Sequence, residues 1–143
     1  MIGKVILDTG PLVAVLDKSD RYHDWAVNQW GNITKPVFTC EAVISEVCFV
    51  LKHVYGGDDA IMGLVSRGYI EVPFRFSNEV TVVKELMQKY KSVPMSFADA
   101  CLVRMSESNA RSTVLTVLTL DSDFRIYRKN RTEAIDVIMP SEL

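Results

Sequence analysis

Four acidic residues of this 143-residue chain, Asp8, Glu46, Asp99 and Asp121, have the types and settings that point to chemistry. Four or five negative charges share one pocket at neutral pH only with raised pKa values or with cations to neutralise them. Mg²⁺ or Mn²⁺ is the expected cation, since these hard ions prefer oxygen ligands, keep several waters and bind through a few carboxylates plus substrate phosphate oxygens. The chemistry that follows is phosphodiester hydrolysis, in which the ion activates a water and offsets charge on the leaving oxygen. Glu46 or Asp99 would help to orient or deprotonate that water.

Each acid also has a plainer reading. Asp8 and Asp121 stand just past the ends of predicted strands, the edge where open α/β sheets place ligand sites, yet each also suits the cap of a following helix. Glu46 is the more telling. On a helix turning about 100° per residue, Ala42, Val43, Phe49 and Val50 fall within about 60° of it, so it projects from an apolar face. The polar stripe of that helix runs through Glu41, Ser45, Lys52 and Tyr55. The alternative to a ligand is a salt bridge to Arg or Lys, because a buried carboxylate without a partner is costly or takes up a proton.

Asp99 follows Ser96 by three, which satisfies the capping-box pattern, but it also lies between Leu102 and Val103 on its helix and so points toward packed surface. Cap and ligand both stay open. Asp121 and Asp123 begin like a calcium-binding loop, but Arg125 and Ile126 stand where further oxygen ligands and a glycine are required. Asp121 is favoured as the nearer ligand, with Asp123 close behind. Thr9 and Thr119 are candidate hydroxyl partners for the carboxylates, although a threonine beside a strand end needs no such role.

The elements that must position these residues follow from the apolar pattern. Gly3 to Asp8 reads as a buried strand stopped by Thr9, Gly10 and Pro11, with a short helix from Pro11 through Asp17. Tyr22 to about Trp30 is predicted helical, Pro36 to Cys40 a second buried strand, and Glu41 to Tyr55 a long helix ended by Gly56 and Gly57. A shorter helix over Asp58 to Arg67, a strand over Tyr69 to Phe74 and an amphipathic helix over Ser77 to Tyr90, capped by Ser77, come next. Ser96 then caps a helix to about Ser108, Thr113 to Leu120 is a β-branched strand, Phe124 to Lys129 a helical turn, and Ala134 to Ile138 a closing strand. Alternation of strands and helices predicts an α/β fold with a mostly parallel sheet covered on both faces.

A hydrophobic share of 48% over this length suits one domain spanning residues 1–143. No run of eighteen apolar residues occurs and the N-terminus has no charged head and greasy core, so a cytoplasmic protein with no membrane segment is expected. Cys40, Cys48 and Cys101 lack the spacing of a zinc site or a disulfide framework and read as small buried residues. A net charge of −2 argues against coating nucleic acid through bulk positive charge. The densest basic cluster, Arg125, Arg128, Lys129 and Arg131 with Tyr127 among them, would either grip phosphates or form a solvated helix end that complements its dipole. His23 and His53 lack a nucleophile at useful spacing and are assigned no chemistry. Trp25, Trp30, Phe49 and Tyr55 read as core, with a subset available to line an interface.

Rival chemistries fail at particular residues. A haloacid dehalogenase-type phosphatase requires a second aspartate two residues after Asp8, where Gly10 stands, and a receiver-like domain requires an acidic pair after the first strand and a lysine after the last. A non-enzymatic binding module is the serious rival that stays open; its mark would be missing acids, and all of them are present.

Four ordered motifs carry a family resemblance: Leu7-Asp8-Thr9-Gly10-Pro11-Leu12, Ile44-Ser45-Glu46-Val47, Ser96-Phe97-Ala98-Asp99-Ala100 and Thr119-Leu120-Asp121-Ser122-Asp123-Phe124. With them nearly the whole chain resembles the PIN domain, in particular the VapC-like ribonuclease toxins of toxin–antitoxin pairs. The stretch Tyr22-His23-Asp24-Trp25-Ala26 is similar to that family's second helix. The resemblance implies a three-layer α/β/α fold and a metal-dependent endoribonuclease, with Asp8, Glu46, Asp99 and the Asp121/Asp123 pair as Mg²⁺ or Mn²⁺ ligands and Ser96 in support. It also implies an RNA substrate, a homodimer and a cognate antitoxin whose C-terminal segment enters the active-site groove. A nuclease of RNA processing that is no toxin, or a catalytically weak binding module, is the alternative. In many members a serine or asparagine follows Asp-Thr; here Gly10 removes that side-chain ligand.

Overall fold

The computed structural model describes residues 3–107 and 115–143. Its central sheet is built from five short strands, β1 (Val5–Leu7), β2 (Val37–Phe38), β3 (Ile70–Glu71), β4 (Thr116–Leu118) and β7 (Val137–Ile138). All neighbours are parallel and the order is β3-β2-β1-β4-β7. Successive residues of a strand point to opposite faces, so the complete burial of Val5, Ile6 and Leu7 means that both faces of β1 are covered. This is the α/β arrangement that the alternating pattern predicts.

The covering helices are α1 (Thr9–Leu16) and α2 (His23–Asn32) after β1, α3 (Glu41–Val50) and α4 (Gly57–Ser66) after β2, and α5 (Val80–Lys89) and α6 (Phe97–Ser106) after β3. Helix α6 packs on β1 and β4 and touches α3 and α5, which places it over the middle of the sheet. Its Ala98, Ala100, Cys101, Leu102 and Val103 are all buried there. Leu7, Leu12, Ile33, Leu51, Leu118, Phe124 and Tyr127 complete the same core. No helix among the described residues is long and apolar enough to cross a membrane.

From β1 the chain builds outward through β2 and β3, then returns to the other side of β1 for β4 and β7. The β1/β4 boundary is therefore the switch point of the sheet. Connections leave it in opposite directions at the C-terminal ends of the strands, which opens a crevice. Register there is Val5 with Thr116, Ile6 with Val117 and Leu7 with Leu118, so Asp8 and Thr119 emerge side by side.

Several boundaries depart from the sequence expectation. The long helix ends at Val50, and Leu51–His53 forms one tight 3-10 turn. Gly56, at φ +74°, then takes the left-handed conformation that starts α4. Ser77 caps nothing: it lies inside a 3-10 turn, Phe76–Asn78, and α5 starts three residues later without a side-chain cap. That turn places the Phe76 ring edge-on to Phe97, with centroids 4.9 Å apart. The helical turn expected over Phe124 to Lys129 is a 3-10 turn, Ser122–Arg125, followed by an antiparallel hairpin of β5 (Arg128–Lys129) and β6 (Glu133–Ala134). The hairpin turns on Asn130 and Arg131, at φ +47° and +73°, and no glycine marks it in the sequence. Glu107 accepts a hydrogen bond from the Asn130 amide at 2.7 Å, and Lys89 donates to the Arg131 carbonyl at 3.0 Å. The expected closing strand is thus divided between β6 and β7. Thr113 and Val114 of the expected fourth strand, and Ser108 of the preceding helix, lie outside the described residues.

Candidate metal centre

Asp8 closes β1 and is the N-cap of α1, with 7% of its surface exposed. The cap reading of this residue therefore holds, and the capping carboxylate is the one that stands at the strand end. Its Oδ1 accepts from the Thr9 amide at 2.8 Å and its Oδ2 from the Thr119 hydroxyl at 2.6 Å. Thr119 is itself fully buried, and its Oγ1 accepts from the Asp121 amide at 2.9 Å. One hydroxyl therefore joins the first motif to the fourth across the β1/β4 boundary. Asp121 in turn accepts from the Asp123 amide at 2.9 Å, which makes it the cap of the 3-10 turn.

Gly10 permits this closeness. A Cβ built there would lie 3.2 Å from the Leu120 side chain, tighter than ordinary contact, so the first turn of α1 sits directly against the residue before Asp121.

Asp99 occupies the third position of α6, and the capping box with Ser96 is complete: Ser96 Oγ accepts from the Asp99 amide at 3.0 Å, and Asp99 Oδ2 from the Ser96 amide at 3.4 Å. A partner the sequence reading missed adds to this. The Tyr127 hydroxyl donates to the same Oδ2 at 2.9 Å. Tyr127 has no exposed surface and packs edge-on against Tyr90 and Phe124. Its only signal in the sequence was an aromatic residue inside a basic cluster, a poor sign of a buried hydrogen-bond donor.

Glu46 departs from expectation in one respect. Its helix face is apolar, but the part of that face beyond it is open: Phe49 is 68% exposed and Val50 42%. Glu46 itself stands at the surface. An apolar stripe marks a face that another surface can cover, which need not be the chain's own core.

The charges of these side chains register one another. Burial pushes the Asp8 carboxyl up to about 6, against its bonds from Thr119 and Thr9, and the charges of Asp99 and Asp121 add to the rise. Glu46 is raised by burial and by Asp99, with Thr9 opposing. Asp99 is raised by burial despite its bond from Tyr127, with Asp121 contributing. Asp123 is raised by burial and by Asp121. Burial and the Asp99 charge push the Tyr127 phenol up, so it keeps its proton and donates. The salt bridge that competed for Glu46 is absent among the described residues: the ion pairs there join Arg104 to Glu79 and Glu107, and His53 to Asp17.

The donor set fits a hard divalent cation. Thr9 Oγ1 is buried next to Asp8 in the chain, close enough to Glu46 to lower that carboxyl's pKa, and makes no well-formed hydrogen bond among the described residues. A poorly satisfied buried oxygen beside carboxylates that pair with no cation among the described residues is what such an ion, with its water shell, would satisfy. The set is open: among the described residues no three His, Cys, Asp or Glu side chains close into a ready-made cage. Mg²⁺ sites commonly use one or two carboxylates with waters and substrate phosphates.

The basic cluster is divided: Arg125 ends the 3-10 turn after Asp121, as a helix-end residue would, while Arg128 and Lys129 lie in the hairpin strand and Arg131 in its turn. Arg128 folds back, its Nη1 donating to the carbonyls of Arg125, Ile126 and Tyr127 at 2.7, 3.2 and 3.0 Å. Arg125 and Arg131 are exposed and Lys129 half-buried. Trp25 and Trp30 are half-buried against the core, whereas Phe49 and Tyr55 are exposed. His23 contacts the Ala14 carbonyl and His53 contacts Asp17. The three cysteines are free, Cys40 and Cys101 buried and Cys48 half-buried.

Comparison with known proteins gives the architecture a relative. The fold is similar to the crystal structure of Mycobacterium tuberculosis VapC20, described as a sarcin–ricin loop cleaving toxin, with a TM-score of 0.71 and 17% identity over 83% of this chain and 91% of that one. No curated protein matches the sequence. The family profile of the PIN domain matches residues 5–130, a span that contains all four motifs, and the chain belongs to the PIN domain family.

Proposed function

We propose that the chain is a Mg²⁺- or Mn²⁺-dependent endoribonuclease acting as the toxin of a toxin–antitoxin pair. What supports this reading is that Thr119 joins Asp8 to the Asp121 amide at the switch point, while the charges of Asp99 and Asp121 act on Asp8 and that of Asp99 on Glu46, with no ion-pair partner for these acids among the described residues. Family membership and the likeness to a toxin that cleaves the sarcin–ricin loop support RNA as substrate.

Within this reading Asp8, Glu46, Asp99 and Asp121 hold the ion, with Asp123 beside Asp121. Bound there, Mg²⁺ or Mn²⁺ would supply water activation and charge relief at the leaving oxygen. The chain's own work is positioning. Thr119 and Thr9 fix Asp8, Ser96 fixes Asp99, and Glu46, the least tied acid, orients the attacking water or takes its proton. Arg125, Lys129 and Arg131 meet the phosphates beyond the cleaved bond, while Arg128 stiffens the turn that carries them. The exposed strip of Phe49, Val50 and Tyr55 beyond Glu46 supports a covering partner, assigned to the antitoxin or the second copy of a homodimer. Residues 1–143 act as one domain.

The test is cleavage of structured and single-stranded RNA by the purified chain with Mg²⁺, with Mn²⁺ and with EDTA. Cleavage is expected only with the metals, and an Asp8→Asn, Asp99→Asn double variant that still cleaves fully would sink the assignment. Expression should arrest growth, relieved by the product of the neighbouring gene; an active enzyme that leaves growth unaffected points instead to RNA processing.

A further inference from the structure

Asp99 carries two obligations that compete. A carboxylate engaged in its own helix cap is drawn toward the backbone of the first turn, and a ligand must present an oxygen away from it. Both hydrogen bonds that Asp99 accepts among the described residues fall on Oδ2, from the Ser96 amide at 3.4 Å and from Tyr127 at 2.9 Å. The first is long and weak, so the phenol is the stronger hold.

Tyr127 is built to be immobile. Its ring meets Tyr90 at 5.1 Å and Phe124 at 5.2 Å between centroids, both edge-on, and none of its surface is exposed. Its amide donates to the Asp123 carbonyl at 3.1 Å. A buried phenol needs a partner for its hydroxyl, and with the ring fixed on two sides the mobile member of the pair is the carboxylate. The segment that carries Asp121 and Asp123 thus also reaches back to the acid of the third motif.

We propose that Tyr127 is a positioning residue for Asp99: its hydroxyl holds Oδ2 so that Asp99 can cap α6 and still offer its other oxygen to the cation. This rests on the metal-dependent reading above. An outer partner of this kind is worth about 10- to 100-fold in metal affinity.

The test is Mn²⁺ titration of the purified chain followed by electron paramagnetic resonance, for the wild type, Tyr127→Phe, Asp99→Asn and the double variant. Tyr127→Phe is expected to weaken Mn²⁺ binding about 10-fold or more, and to add less than about 2-fold in the Asp99→Asn background, since coupled residues are non-additive. Unchanged affinity in Tyr127→Phe overturns the proposal, and so does the same loss repeated without the Asp99 carboxylate. Tyr90→Phe removes the hydroxyl that accepts from the Arg128 amide at 2.9 Å, a bond to the same segment that touches no acid, and should bind Mn²⁺ within about 2-fold of the wild type; an equal loss there would mark a general effect on the segment and overturn the proposal too. If Tyr127→Phe fails to fold, 4-fluorophenylalanine introduced at position 127 keeps the bulk of the phenol without its donor and reads the same quantity. Failure of the underlying reading is distinct: the wild type itself then takes up no Mn²⁺, and both proposals fall together.

Discussion

Asp8 and Glu46 are the two extremes of the acidic cluster. Asp8 is buried at a strand end, with both oxygens bonded to groups whose positions the sheet fixes. Glu46 stands on an open helix face among exposed apolar side chains and has no ion-pair partner among the described residues. The difference teaches how an acidic site can be both rigid and adaptable. On the metal-dependent reading proposed above, the sheet holds one carboxylate where its charge is most costly, so that little reorganisation would remain when an ion arrives. The helix offers another that can adjust to water, substrate or a covering partner.

If that contrast is right, the largest effect belongs to Asp8→Asn, which should lower RNA cleavage by more than the roughly 100-fold typical of a merely supporting residue; kcat at saturating Mn²⁺ measures it. Glu46→Gln should cost less, about 10- to 100-fold, within the usual range of a group that orients or deprotonates water. Equal losses at the two positions would erase the distinction between them.

Stability should reverse the order of the two sides. Thr119→Val leaves Asp8 and the Asp121 amide without their shared hydroxyl and should destabilise the fold by about 1–3 kcal/mol in denaturant titration. Asp8→Asn should do the opposite in EDTA. An acid whose pKa rises on folding contributes stability below its unfolded value of 3.8 and loses it as pH climbs through about 6. Above pH 6 the buried charge of Asp8 therefore weighs against the folded state, and removing it should raise Tm at pH 8 while giving no gain at pH 3.5. The smallest effect is expected from Phe49→Ser, which should move stability by less than about 0.5 kcal/mol because the ring is exposed. Its influence should be confined to association, read by light scattering of the purified chain across concentrations and with the product of the neighbouring gene, the proposed antitoxin.

The sequence made the strand-end acids legible because short apolar runs stopped by Thr, Gly and Pro leave little doubt where a buried parallel strand ends. It could not show that β1 and β4 are neighbours. That follows from strand order, which depends on packing among residues more than a hundred positions apart, and it alone turns Thr119 into a partner of Asp8. The capping box at Ser96 was readable because its determinants are three residues apart. The hairpin at Asn130 and Arg131 was not, since the left-handed turn is held by Glu107 and Lys89 from distant helices and no glycine announces it. For Glu46 the periodicity was read correctly as an apolar face, but periodicity does not say what covers such a face.

The contact between Gly10 and Leu120 limits the routes by which this chain can change. A serine or asparagine introduced at position 10 to add a ligand would press on Leu120 and, through it, on the turn that presents Asp121. The gain of an oxygen therefore depends on which substitution comes first. With Leu120 intact, a side chain at position 10 disturbs the acids it should assist; with Leu120 made smaller beforehand, the same change has room. The two sites should behave as a mutational pair, in which each substitution alters the effect of the other on stability.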